Sequence, residues 1–153
     1  MTEELTAVGT IAGESELTAL FNARLEEIEA KLLQQPDCRD LPVTNHFADG
    51  VYFREGVIPA GHWGLGHSHL HEELTIIFSG RALLGVDGKV SEICGPCVIK
   101  TAAGVRKLLL AITDVHGGNI FPNPTNETDV GKLEKLCIEK SATRLRYEQA
   151  KLQ

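Results

Sequence analysis

Residues Gly61–Gly80 read GHWGLGHSHLHEELTIIFSG, and most expectations for this 153-residue chain start there. His67 and His69 stand two apart, so on an extended strand both imidazoles leave the same face, and Glu73 keeps that parity. Two imidazoles and a carboxylate on one face outline a site for a hard-to-borderline divalent metal. Leu74 to Phe78 form an apolar run, and Gly61 and Gly80 bracket the stretch where the chain must turn sharply.

The residues on either side extend the pattern. Val51 to Arg54 and Val57-Ile58 are strand-like, and further strands are predicted near 63–69, 73–79, 81–87, 89–93, 97–101, 106–113 and 116–121. Asp87-Gly88 is a hairpin dipeptide and Gly95-Pro96 a turn. Short strands at this spacing indicate an all-β sandwich or barrel. Residues 37–49 read as a connector containing Pro42.

Upstream, Leu17, Phe21, Leu25, Ile28 and Leu32 recur at intervals of 4, 4, 3 and 4, which predicts an amphipathic helix from Ser15 to the Gln35-Pro36 break. Two roles stand open for its apolar stripe: covering the chain's own barrel, or a short coiled coil with further copies. Downstream, Thr128 or Asp129 is placed to N-cap a helix from Val130 to about Glu139, and the charged stretch 141–153 reads as a peripheral helix. The expected division is an arm and helix over 1–39, a barrel over 40–125 and a helical extension over 126–153.

A formal net charge of −6 and the lack of a basic patch argue against nucleic acid as a partner. No apolar run approaches the ~18 residues of a membrane span, so no membrane partner is expected. The acidic start, MTEELTAVGTIAGESE, does not read as a secretory signal, which makes the cytoplasm the default compartment. Cys38, Cys94, Cys97 and Cys137 are then expected as free thiols. Cys94-Gly-Pro-Cys97 spells a redox tetrapeptide, but it lies between two strands rather than at the helix N-terminus that would activate its first thiol.

The spacing Gly61, His67-x-His69, Glu73, Gly80 resembles the first motif of the cupin superfamily. That resemblance implies a jelly-roll barrel, here carrying helical extensions at both ends. It also implies that His67, His69 and Glu73 bind iron, manganese, nickel or zinc, with a fourth histidine from a second motif. The matching segment is Gly95 to Lys107, GPCVIKTAAGVRK, where Ala102-Ala103-Gly104 replaces the usual Pro-x-Gly and Lys107 replaces the histidine. A protonated ammonium has no lone pair to donate.

Two readings of the site follow. In one, His67, His69 and Glu73 form a two-His-one-carboxylate metal triad of a dioxygenase, lyase or isomerase acting on a small molecule. In the other, favoured by charge complementarity, Glu73 pairs with Lys107 inside the barrel and no cofactor is held. His116 supplies a fourth ligand only if it faces inward. Tyr52 and Arg54 are the sole candidates for metal-free acid–base work, and no residue is assigned as catalytic; no nucleophile elbow or phosphate loop is present.

If Glu73 and Lys107 point inward, then Leu74, Ile76, Phe78, Leu108, Leu110 and Ile112 point outward. Such a patch is unusual on a monomer, so a homo-oligomer is expected, with Leu74, Ile76 and Phe78 and the helix stripe as packing surfaces.

Val51 to about Glu134 also resembles small single-cupin proteins encoded among the virion genes of tailed bacteriophages. The residues carrying that likeness are Ile58-Pro59-Ala60-Gly61, His69 followed by Glu72, Ser79-Gly80, Gly104-Val105-Arg106-Lys107, Ile112-Thr113-Asp114 and Glu127-Thr128-Asp129 with Leu133-Glu134. This resemblance implies a structural or accessory virion protein that binds itself and other virion proteins. A decoration, head–tail or tail-associated role is the form expected, with the virion as its location.

Overall fold

The computed structural model describes the backbone from Glu14 to Gln153 and side chains from Asn22 onward. Helix α1 (Glu14–Leu33) leads into β1 (Val43–Ala48), β2 (Gly50–Ile58), β3 (Trp63–Leu65), β4 (Ser68–His69), β5 (Glu73–Ser79), β6 (Arg81–Val86), β7 (Lys89–Cys94), β8 (Cys97–Thr101), β9 (Lys107–Ala111) and β10 (Val115–Asn123). Helix α2 (Val130–Cys137), β11 (Ile138–Glu139) and α3 (Ala142–Lys151) complete the chain.

The strand pairs nest. β6 pairs with β7, β5 with β8, β3 with β9 and β2 with β10, all antiparallel, so the chain forms one long hairpin ribbon closed by the Asp87-Gly88 turn. Both turn residues have positive φ (49° and 78°), the conformation a two-residue hairpin loop demands. Pairings of β5 with β10 and of β6 with β9 join successive windings of the ribbon. The result is a jelly roll of two antiparallel sheets, ordered β1-β2-β10-β5-β8 and β3-β9-β6-β7. Gly80 lies at the switch between sheets with φ 105°, where a Cβ would stand 2.2 Å from the Asp114 carbonyl oxygen.

One strand lies where a connector was expected. Residues 43–48 form β1, an edge strand, despite Pro42. Proline is tolerated just outside a strand, and Asn45 and Thr44 are adequate on a half-exposed edge. The helices match their sequence signals more closely. Asp129 caps α2 by accepting from the Lys132 amide (3.1 Å), and Ser141 caps α3 by accepting from the Arg144 amide (3.0 Å).

The interior is apolar at both ends and polar between them. Ile77, Ala82, Ala111 and Val115 fill one end, backed by Ile58, Ile99 and Leu109. Tyr52, Phe121, Leu133, Cys137 and Ile138 fill the other, where α2 packs across it. Leu25 of α1 is fully buried within the chain, so at that point the helix covers the fold that carries it. Ile28 and Leu32 are half-buried, and the side chains of Leu17 and Phe21 lie outside the described residues.

Candidate functional site

The polar belt of the barrel is built by strand parity. Glu73 and Thr75 on β5, Thr101 on β8, Lys107 on β9 and Asn119 on β10 alternate with outward neighbours and therefore meet inside. Glu73 is 2% exposed and the Lys107 side chain 12%, which fixes both as interior. The Lys107 ammonium donates to Glu73 Oε1 in a close ion pair, to Thr75 Oγ1 at 2.7 Å and to Thr101 Oγ1 at 3.3 Å. Thr75 in turn donates to Asn119 Oδ1 at 2.8 Å. An ammonium has three N–H donors and all three are used.

His69 joins this pair. Its Nδ1 lies 2.7 Å from Glu73 Oε1, close enough for an ion pair though not aligned as a hydrogen bond, and its ring meets the Phe121 edge at 5.3 Å. Burial pushes the Glu73 carboxyl up, but the His69 and Lys107 contacts outweigh it and hold the group below its usual range. Burial draws Lys107 down, with Glu73 pulling the other way. Glu73 Oε2 is buried without a partner.

His67 does not join them. β4 begins only at Ser68, so the extended geometry on which the two-residue parity rests does not reach His67. Its ring instead lies among Arg144, Arg106, Lys140 and Glu29, where the helical extensions meet the barrel. Burial, reinforced by the three cations, pushes it down to about 4, and its Nδ1 is buried without a partner.

Among the described residues no group of three or more His, Cys, Asp or Glu side chains converges to hold a metal. The expected iron, manganese, nickel or zinc site on His67, His69 and Glu73 does not fit this geometry. One imidazole is diverted, and a cation already sits on the carboxylate. His116 supplies no fourth ligand either. It faces outward on β10, with Nε2 2.6 Å from Glu55 Oε1.

The candidates for metal-free chemistry are engaged or remote. The buried Tyr52 hydroxyl donates to Asn45 Oδ1 at 2.6 Å. Two clefts open at strand ends, one of about 210 Å³ lined by Gly50-Val51, Phe121 and Glu73, the other of about 360 Å³ beside Phe47 to Asp49; Lys107 lines neither. Cys94 and Cys97 sit on the β7–β8 turn as free thiols, away from any helix N-terminus.

A second buried charge cluster joins residues far apart in the sequence. Arg106, 4% exposed, directs Nη2 to Glu29 Oε2 at 2.8 Å and Nε to the Gly66 carbonyl at 2.8 Å. Ser141 Oγ donates to Glu29 Oε1, so one carboxylate ties α1, the β8–β9 turn and the start of α3 together. Its sequence signal was the position of Glu29, four residues after Leu25 and hence on the same helix face. Beside it, Arg144 bridges Glu148 (2.8 Å) and Asp40 (2.7 Å), which lowers the Asp40 carboxyl. β11 adds to β4, pairing Ile138 with His69. The terminal extensions thus lock over the end of the barrel that carries the histidine motif.

No protein-family model matches this chain, and no curated protein matches it in sequence. Solved structures do match in fold. A protein from Photorhabdus luminescens superposes with a TM-score of 0.49 at 14% identity, over 74% of this chain and 87% of its own. A cupin superfamily protein from Desulfitobacterium hafniense gives 0.45 at 14% identity, over 56% and 82%. An RmlC-like cupin family protein with a double-stranded β-helix fold, from Methanocaldococcus jannaschii, gives 0.45 at 18% identity, over 59% and 87%. These are likenesses between distant sequences; the nested strand pairing is what makes this chain a jelly roll.

Proposed function

We propose that this chain is a non-catalytic cupin barrel, used as a structural or accessory component of a tailed-phage virion and working by binding copies of itself and other virion proteins. The observation that carries the non-catalytic part is the saturated Lys107 ammonium on Glu73. A group whose three donors are all engaged in a buried network serves as a strut, whereas a reactive lysine or a metal site needs a free lone pair or an open position. The latch of Glu29, Arg106 and Ser141 supports the same reading, because it spends the histidine end of the barrel on holding the extensions. The virion role draws its support from the sequence likeness of residues 51–134 to virion-encoded cupins, and the virion is the location it implies.

Mass spectrometry of gradient-purified particles tests it. The chain is expected at a copy number comparable to other structural proteins, and untagged protein is expected to carry far less than one metal per chain. Near-stoichiometric metal that is lost on His69→Ala would favour the metal-dependent enzyme instead.

A further inference from the structure

The two large sheets end in four edge strands, and three of them are defended. β8 carries Lys100, β7 carries Lys89 and Glu92, and β3 has only three residues. Charge and shortness are the usual means of keeping an edge from templating another strand. β1 has neither. Its six residues, VTNHFA, include no lysine, arginine or carboxylate, and among the described residues it pairs with β2 alone.

The register tells which of its groups lie open. Ala48 faces Val51 across a two-residue turn, so that pair closes the hairpin, and hydrogen bonding alternates from there. His46 and Thr44 then bond to β2, while the N–H and C=O groups of Phe47, Asn45 and Val43 point away from it. Phe47 is two-fifths exposed and stacks on the buried Tyr52 ring at 5.3 Å. Beside it lies the cleft of about 360 Å³, walled by Ala48 and Asp49 on one side and by Asn123, Asn126 and Thr128 on the other. Asp49 is exposed and accepts from Asn126 Nδ2 at 2.9 Å, which leaves a carboxylate with further acceptor capacity.

We propose that β1 takes up an extended segment of a partner protein as an added antiparallel strand, with an apolar side chain beside Phe47 in the cleft and a lysine or arginine on Asp49. This rests on the partner-binding part of the proposed function and gives it a place and a mode. Strand addition draws affinity from main-chain hydrogen bonds and selectivity from the alternate side chains. Val43, Asn45 and Phe47 supply the first; the cleft and Asp49 supply the second. Antiparallel pairing is the more stable of the two directions. A second copy of β1 is the poorer occupant, because its six residues bring no lysine or arginine to Asp49.

Nuclear magnetic resonance on the full chain tests this with a capped peptide, Lys-Thr-Phe-Thr-Val-Thr-Val. Run antiparallel, it sets its lysine opposite Asp49 and its phenylalanine opposite Phe47. Saturable binding with a Kd of about 1 mM or tighter is expected. Exchange of the Val43, Asn45 and Phe47 amides should slow by about tenfold or more, as pairing removes them from water. N-methylating the peptide at its phenylalanine and first valine, which face β1, should abolish binding. The same change at its first two threonines, which face away, should leave the Kd within about threefold. Asp49→Asn, or glutamine for the peptide lysine, should each weaken binding by about twofold or more, and the two together no further. Absence of binding at about 5 mM peptide, indifference to which amides are methylated, or slowed exchange elsewhere than β1 overturns the inference. So does protection of the three amides without peptide that is lost on dilution, since a second copy would then hold the edge. None of these outcomes bears on the metal content or the particle composition that test the proposed function.

Discussion

Replacing Lys107 by methionine keeps most of the length of the side chain and removes its charge, leaving Glu73, 2% exposed, with His69 as its closest remaining partner and Thr75 Oγ1 at 3.4 Å. Breaking a buried ion pair from one side costs about 3–5 kcal/mol when the other charge stays in place. Glu73 has an alternative, which is to bind a proton. Protonating a carboxyl whose ordinary value is 4.5 costs about 1.4 kcal/mol for every pH unit above that value. That caps the loss at roughly 3 kcal/mol at pH 7 and below 1 kcal/mol at pH 5, before the lost threonine hydrogen bonds add about 1 kcal/mol.

The parent behaves differently because its Glu73 is held below the usual range. A lowered carboxyl contributes stability that is fully present above the unfolded value and is lost as pH falls through the folded one. The parent is therefore insensitive to this group between pH 5 and 7, and the variant is not. Urea titrations followed by far-ultraviolet circular dichroism at the two pH values measure the difference. A loss of about 3–4 kcal/mol at pH 7 corresponds to roughly 6–16 °C in Tm for a chain of this size. Adding Glu73→Gln to the variant is expected to restore much of the loss. Equal losses at pH 5 and pH 7, or a loss under about 1 kcal/mol at pH 7, would refute the view of Lys107 as a strut for a buried carboxylate.

Further outcomes follow from the same geometry. Glu29→Ala leaves the buried Arg106 guanidinium unpaired and should cost about 3–5 kcal/mol, whereas Glu29→Met with Arg106→Met should be nearly neutral; denaturant titrations distinguish them. His67 is held neutral down to about pH 4 in the fold but titrates near 6.5 when unfolded. Its stability contribution is thus complete above about pH 6.5 and is lost as pH falls toward 4, a change on the order of 3 kcal/mol that His67→Gln should remove from a stability–pH profile. Gly118→Ala places a Cβ 2.3 Å from the Arg54 carbonyl oxygen and 2.7 Å from the Phe53 ring, and a loss of about 1–3 kcal/mol is expected in thermal melts. Asp129→Ala removes the α2 cap, with an expected cost of about 1 kcal/mol by the same measurement.

Much of this molecule is local in origin, and that part was legible in the order of its residues. Asp87-Gly88 supplies two positive φ angles at the ribbon's closed end, and Gly61 and Gly80 supply them at the ends of the histidine stretch. The alternation of Glu73 and Thr75 with Leu74 and Ile76 told inside from outside, because a strand has a period of two wherever it is extended. Of the two readings that the sequence left open, the ion pair of Lys107 with Glu73 is the one the described side chains form, since a buried carboxylate requires a partner. What the residue order could not carry is where a strand begins and which distant segments meet. His67 left the expected face because β4 starts one residue later, and pairing with β11, about seventy residues away in sequence, sets that start. Glu29, Arg106 and Ser141 converge from three separate elements, and Glu55 collects histidines from two other strands. Such contacts depend on how the ribbon winds and where its extensions dock, so only the tertiary structure decides them.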